Sequence, residues 1–164
     1  MIQLEKFEII NCKKLISWID NAETLMQFAG PSFSFPLTRE QLENSLSDKN
    51  RFAFQALETN AKAMIGYGEI YLREKSAFLG RIIIGDKKFR GKGFGQVIVN
   101  QLIDFAFNTL NQPKIELNVF EWNTPAINCY KRVGFAFNPV KKSERKVNRK
   151  TWVVLNMLLK KSDS

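Results

Sequence analysis

Histidine is absent from this 164-residue chain, and cysteine occurs only twice, at Cys12 and Cys129. Without histidine there is no Ser-His or Cys-His nucleophile pair, which removes many hydrolase mechanisms. Two cysteines make no disulfide framework, and without imidazole they complete no ordinary zinc site, so no metal is expected. No apolar run approaches the roughly 18 to 20 residues that a membrane helix needs. The opening Met1-Ile2-Gln3-Leu4-Glu5-Lys6 lacks the basic-then-apolar pattern of a secretory signal. The expectations are a reducing cytoplasm and no membrane partner. Internal repeats and low-complexity linkers are missing too.

What is present suits a globular protein. Hydrophobic residues make up 45% of the chain and 14 are phenylalanine, enough to fill a core. The length fits one compact domain, expected to span residues 1–164. Lys and Arg number 25 against 16 acids, a formal charge of +9. That excess favours an anionic partner (a polyphosphate cofactor, nucleic acid or an acidic membrane surface) without choosing among them.

The first third of the chain predicts helices. Leu15, Ile16, Trp18 and Ile19 cluster on one face of a short helix, and a second helix runs over 22–28. Prolines and a glycine make 30–36 a loop, after which Thr38 and Gln41 form a capping box opening a helix to 46. Strands are predicted over 51–58, 62–73 and 77–84, with Gly66 and Gly68 weakening the second or marking a bulge. A helix follows from Phe94 and ends before Pro113, with apolar residues at three- and four-residue steps. Ile115, Leu117 and Val119 alternate as a strand. Pro125 and Gly134 bracket a helix over 124–133, and the last strands begin at Phe135 and Thr151. This order predicts an α/β (α+β) domain around a mixed, mostly antiparallel sheet, with a locally parallel strand-helix-strand unit from Ile82 to Val119.

Arg90-Gly91-Lys92-Gly93-Phe94-Gly95 lies where a strand ends and a helix opens. The first amides of a helix lack intrahelical acceptors and carry the positive end of its dipole. Glycines let a phosphate approach such amides closely, and Arg90 and Lys92 add charge, so a pyrophosphate suits the turn. Gln96 stands where a dinucleotide fingerprint needs its third glycine, and Lys92 is followed by Gly93 where a P-loop needs Ser or Thr. Both nucleotide motifs fail on spacing.

Arg90-x-x-Gly93-x-Gly95 resembles the pyrophosphate signature of the GNAT superfamily of N-acetyltransferases, Arg/Gln-x-x-Gly-x-Gly/Ala. Downstream, Asn123-x-x-Ala126-x-x-x-Tyr130 followed by Gly134-Phe135 resembles a second segment of that superfamily in spacing and element type. The resemblance runs over residues 77–137. It is nearest to the bacterial ribosomal-protein and spermidine acetyltransferase branch, through Ile84-Gly85-Asp86 and Phe105-Ala106-Phe107. It implies a GNAT-like sheet flanked by helices, acetyl-CoA as cofactor, and transfer of an acetyl group to a primary amine of a small molecule or a protein N-terminus.

The same resemblance implies roles. Ile82, Ile83 and Ile84 would receive the pantetheine arm along their backbone, beside a plain core role. Gly91, Lys92, Gly93, Phe94, Gly95 and Gln96, with Arg90, would hold the pyrophosphate. Asn118, Asn123 and Ala126 would meet the arm, although Asn123 also suits a helix cap or turn and Asn118 equally a solvated strand position. Lys131 and Arg132 would meet the adenosine phosphate or form a solvated helix face. Tyr130 would protonate the departing thiolate, since a phenol of ordinary pKa near 10 stays protonated at neutral pH. Cys129, about 100° away around the helix, packs. Glu69 or Glu121 would take the amine's proton, unless each is an ordinary strand-edge carboxylate. Trp18, Phe28, Phe33 and Phe35 offer an aromatic acceptor surface, with core packing the default for at least half of them, and no acidic cluster marks a polyamine site.

Two other classes stay open. One is a silent acetyl-CoA-binding module. The other is a nucleic-acid binder using the basic run at 141–150, which an exposed hairpin loop explains as well. Self-association as a homodimer is a further expectation.

Overall fold

The computed structural model describes residues 1–162; residues 163 and 164, which the expected domain includes, lie outside them. Seven strands form one sheet in the order β1-β2-β3-β4-β5-β7-β6. The strands are β1 (Ile2–Lys6), β2 (Arg51–Glu58), β3 (Ala63–Leu72), β4 (Ala77–Ile84), β5 (Lys114–Phe120), β6 (Ala136–Val147) and β7 (Lys150–Lys160). Only β4 and β5 pair parallel; every other neighbour is antiparallel. The mixed, mostly antiparallel sheet follows the predicted order, with two corrections.

The first is β1, placed among helices by the sequence. Ile2 is its only fully buried residue, so its alternation is too short to stand out. Pairing decides it: β1 lies against β2 from Ile2↔Glu58 to Lys6↔Phe54. On its outer edge, the Gln101 amide accepts from Leu4 N and donates to Ile2 O, both at 2.9 Å, which satisfies an otherwise open edge.

The second is the basic run at 141–150. It is not a loop; β6 runs on to Val147, leaving Asn148 and Arg149 as a two-residue turn with φ of +49° and +67°. Two left-handed residues match the twist of a tight hairpin. Ladder hydrogen bonds from Lys142↔Leu155 to Val147↔Lys150 hold the strand, and charged side chains suit an edge.

Helices cover both faces. α1 (Cys12–Ser17), α2 (Ala22–Ala29) and α3 (Arg39–Leu46) close one face over Leu15, Leu25, Leu42 and Tyr67. Thr38 caps α3 by accepting from Gln41 N at 3.2 Å. The Gln41 amide reaches instead to the carbonyls of Ser34 and Pro36, both at 3.0 Å, and so pins the preceding loop. On the other face lie α4 (Phe94–Asp104) and α5 (Thr124–Arg132), over Ile98, Leu102, Leu117 and Ile127. α4 runs into a π-helical turn in which Leu110 N donates to Phe105 O at 3.0 Å, five residues back.

Gly66 and Gly68 serve packing. A Cβ on Gly66 would stand 2.9 Å from Ile83 O and 3.0 Å from Ile98 Cδ1; one on Gly68 would meet Leu102 Cδ1 at 3.0 Å. Their bareness lets α4 approach β3. The expected β3 bulge lies beside Gly66, where Ala56↔Gly66 is followed by Leu57↔Met64 and β3 carries an extra residue. A second bulge lies on β4, where Tyr67↔Ile83 is followed by Glu69↔Gly80 and β4 carries the extra residue. Arg81, within the bulge, has φ +50°.

Candidate active site

β4 and β5 pair only over three positions, Ala77↔Ile115 to Leu79↔Leu117. Beyond them β5 continues against β7 through Asn118 and Val119 to Phe120, while β4 holds to β3 and bends at its bulge. The strands therefore part like a V. A cavity of about 1580 Å³ occupies the gap, with Ile82, Ile83 and Ile84 on one wall and Asn118, Val119 and Phe120 on the other. The β5-facing backbone of β4 is unpaired here, and unpaired peptide groups in a cavity bind an extended ligand as a sheet would. Arg90 Nε donates to Ile84 O at 3.0 Å and ties the turn to the end of β4.

The glycine turn closes one end of this cavity. Gly91 and Gly93 hold φ of +72° and +82°, conformations that favour glycine. Gly95 needs no such angle, and a Cβ there would meet no atom within 4 Å. It lines the cavity with Gly91, Gly93 and Gln96. No side chain caps α4, whose N-cap is Gly93 itself. Bare amides at a dipole's positive end, with open space before them, fit a phosphate. Lys92 and Phe94 do not line the cavity; Phe94 packs on Phe89 with ring centroids 5.8 Å apart.

α5 forms the adjoining wall. Asn123, Ala126 and Tyr130 recur at three and four residues and line the cavity together, as does Arg132. Asn123 also caps the helix, accepting from Ala126 N at 3.4 Å, so cap and cavity roles coexist. Lys131 points elsewhere, its Nζ 4.8 Å from the Phe137 ring centroid. Asn118 is fixed by Asn156, which donates to its Oδ1 at 3.1 Å.

Tyr130 is half-buried, edge-on to Phe135 at 6.0 Å, and its hydroxyl has no hydrogen-bond partner among the described residues. Burial pushes its phenol above the ordinary value, so it stays protonated well into alkaline solution. Cys129 also lines the cavity, but burial raises its thiol too, which leaves little thiolate for attack.

Glu69 lies on the opposite face, 1% exposed and fully engaged. Oε1 accepts from Arg51 Nη1 at 2.8 Å and Arg81 Nη1 at 3.2 Å, and Oε2 from the Tyr67 hydroxyl. Burial lowers the Arg81 pKa, although Glu69 opposes it. Burial also raises the Tyr67 phenol, with the Glu69 charge adding to it. Glu121 does not line the cavity and faces Lys142 at 3.9 Å.

A parted parallel strand pair, an uncapped glycine-rich helix start and a tyrosine helix beside them form one site. The profile of the Acetyltransferase (GNAT) family matches residues 18–135, which hold all three. The chain belongs to the GNAT acetyltransferase family. Among its relatives, a spermidine N(1)-acetyltransferase of Vibrio cholerae is 29% identical over 74% of this chain and 72% of that protein. A spermine/spermidine N(1)-acetyltransferase of Bacillus subtilis is 38% identical over 37% of this chain and 40% of that one. The fold matches the crystal structure of a Vibrio cholerae spermidine N-acetyltransferase in complex with CoA and spermine, with a TM-score of 0.80 at 24% identity over 97% and 95% of the two chains.

Within this GNAT enzyme, residues of the glycine turn and of α5 line one cavity. Sequence reading missed Arg51, Arg73, Arg81 and Arg145, which line it as well. They carry no motif. The one signal for Arg81 is a charge between the apolar residues Leu79 and Ile82, inside a strand otherwise free of charge.

Proposed function

We propose that this acetyltransferase moves an acetyl group from acetyl-CoA to a primary amine by direct attack on the thioester. The parting of β4 and β5 past Leu79 and Leu117 carries the reading, because it opens an unpaired strand edge leading to the bare helix start. The CoA held by the structural relative in its crystal supports it. The open space before Gly95 fits a pyrophosphate, and Arg90 and Arg132 supply cations along the cavity.

Acetyl-CoA supplies an activated acyl group on a good leaving thiolate. Ile82, Ile83 and Ile84 offer backbone groups to its arm, and one amide there polarises the thioester carbonyl. Asn118 and Asn123 position the arm from the facing wall. The amine nitrogen bonds to the acyl carbon as the carbon–sulfur bond breaks. Tyr130 then protonates the departing sulfur and recovers its proton from water. With Glu69 engaged by three donors, we assign it to holding Arg51 and Arg81, and the amine loses its proton to water through the open cavity.

A silent acetyl-CoA binder gains nothing from a cavity-lining Tyr130 whose hydroxyl is unbonded. Direct nucleic-acid binding loses its loop: Lys141 pairs with Glu116 at 2.7 Å and Lys146 donates to Thr151 Oγ1 at 2.7 Å. We read the chain as one domain acting in the cytoplasm, in keeping with the free thiols of Cys12 and Cys129. We further read it as a homodimer, for which exposed Trp122 and Val140 supply apolar surface.

Thiol release from acetyl-CoA, followed across a panel of amines beside calorimetric titration with CoA, tests the reading. Amine-dependent release with CoA binding is expected. Absence of CoA binding overturns the donor site, and binding without turnover of any amine favours the silent module.

A further inference from the structure

The cavity has a second end, on the face covered by α1, α2 and α3, and that end is built of guanidinium groups. Arg51 on β2, Arg73 just past β3, Arg81 on β4 and Arg145 on β6 all line it. Contact between Asn148 Nδ2 and Glu23 Oε1, at 2.7 Å, brings the β6–β7 hairpin over α2 and Arg145 with it. The carboxylates lining the same cavity are Asp20 and Glu69. Four guanidiniums against those two leave a local charge of +2 (four minus two).

Two of these arginines are held still. Arg81 donates to Ser45 Oγ at 2.6 Å and Ser32 Oγ at 3.0 Å, and its guanidinium lies 4.2 Å from the Phe33 ring centroid. Arg51 stacks on Tyr71 at 4.6 Å and gives Nη1 to Glu69. Its Nε is buried without any hydrogen-bond partner, a deficiency unique to it among the described residues. Its Nη2 also makes no hydrogen bond among the described residues, and Arg51 lines the cavity, so the guanidinium keeps donor capacity for a carboxylate or phosphate oxygen. Arg73 lies over Phe78 at 4.3 Å and has no ion pair among the described residues.

We infer, resting on the donor site proposed above, that the acceptor is a primary amine that also carries an anionic oxygen group, and is not a polyamine. The anion sits against Arg51 and Arg73 while the amine points into the gap between β4 and β5. A spermidine- or spermine-like polycation meets uncompensated positive charge there and has one engaged and one exposed carboxylate to answer it. An α-amino acid, a short peptide or a phosphorylated amino alcohol meets guanidinium donors that the protein leaves unused. Arg73 sets this specificity and leaves the chemistry to the other end of the cavity.

The test follows thiol release at saturating acetyl-CoA. L-Amino acids, dipeptides and O-phosphoethanolamine are compared with amino-acid methyl esters, ethanolamine, spermidine and spermine. Each anionic amine that reacts is expected to exceed its uncharged counterpart in kcat/KM by on the order of tenfold or more. Arg73→Gln is expected to erase most of that ratio, chiefly through KM. The carboxylate and phosphate arms identify which anion the site takes. Equal or faster turnover of spermidine, or of the esters, overturns the inference while leaving the donor site standing. Failure to bind CoA removes the donor site and this inference together. Should CoA bind and no amine react, N-acetyl amino acids are titrated as product ligands into the CoA-loaded protein. Their failure to bind overturns the inference, and binding weakened by Arg73→Gln upholds it.

Discussion

Arg81 Nη1 and Glu69 Oε1 face each other at 3.2 Å across the β3–β4 pairing, at the one place where β4 carries an extra residue. The bulge turns Arg81 into the α1–α3 face, and Glu69 anchors it there beside Arg51. One irregularity thus steers β4 away from β5 and shapes the far end of the cavity.

Removing the anchor is expected to be costly. With side chains 9% and 18% exposed, Arg81 and Arg51 would keep their charge with no counter-ion in Glu69→Gln. A loss of about 3 kcal/mol is expected from breaking such a buried pair, read from urea unfolding. If Glu69 were instead the catalytic base, the variant would keep its stability and lose turnover.

Tyr130→Phe is expected to lower kcat by on the order of a hundredfold, the scale of a lost general acid. Acetyl-CoA affinity should hardly change, because the ring and its contact with Phe135 remain. Burial raises the Tyr130 pKa, so wild-type kcat should not fall as pH passes about 10, the ordinary phenol value. Steady-state kinetics across pH measures both.

Gly95 separates binding from folding. It sits in α4 with open space before it, so Gly95→Ala should stabilise the fold by about 0.5–1 kcal/mol through helix propensity. The same methyl group would intrude on the proposed phosphate site, and CoA affinity should fall by on the order of tenfold, or about 1.4 kcal/mol. Thermal melting and calorimetry on one variant read the opposed effects. Gly93→Ala, at φ +82°, should instead lose about 1–2 kcal/mol of stability.

Acid sensitivity is expected at Glu116. Burial alone would raise its carboxyl, but hydrogen bonds from Lys141 and Ser76, with the Lys141 charge, outweigh that and hold it below the ordinary value. A pKa lowered by folding gives stabilisation that is complete above the unfolded value, about 4.3, and is lost as pH falls through the folded one. Lys141→Met removes the outweighing partner, so its stability should decline from a higher pH than wild type. Urea midpoints at successive pH values check this. Lys141 is 55% exposed, so the cost at neutral pH should stay near 1 kcal/mol.

The proposed cofactor end was the more legible one in sequence because its parts are local. A glycine turn, a proline near a helix start and an Asn-to-Tyr spacing each declare their geometry within a few residues. The proposed acceptor end was not legible, since Arg51, Arg81 and Arg145 come from three separate strands and Arg73 from the turn past a fourth. Only register brings them together. The β4 bulge was equally hidden: Gly66 and Gly68 suggested an irregularity in β3, which the register shows beside Gly66, but they say nothing of the one at Arg81. β1 and the long β6 were missed because pairing made them, with propensity contributing little. Gly85 was cited only as part of a motif, yet a Cβ there would lie 1.8 Å from the Trp18 ring, which binds α1 to the end of β4.

The most direct test of the donor site is hydrogen–deuterium exchange with and without CoA, read at single-amide resolution. The account predicts slowed exchange at the amides of Gly93, Phe94, Gly95 and Gln96 and along the β5-facing edge of Ile82 to Ile84. CoA binding that leaves those amides unprotected, or protects the α1–α3 face instead, would contradict it.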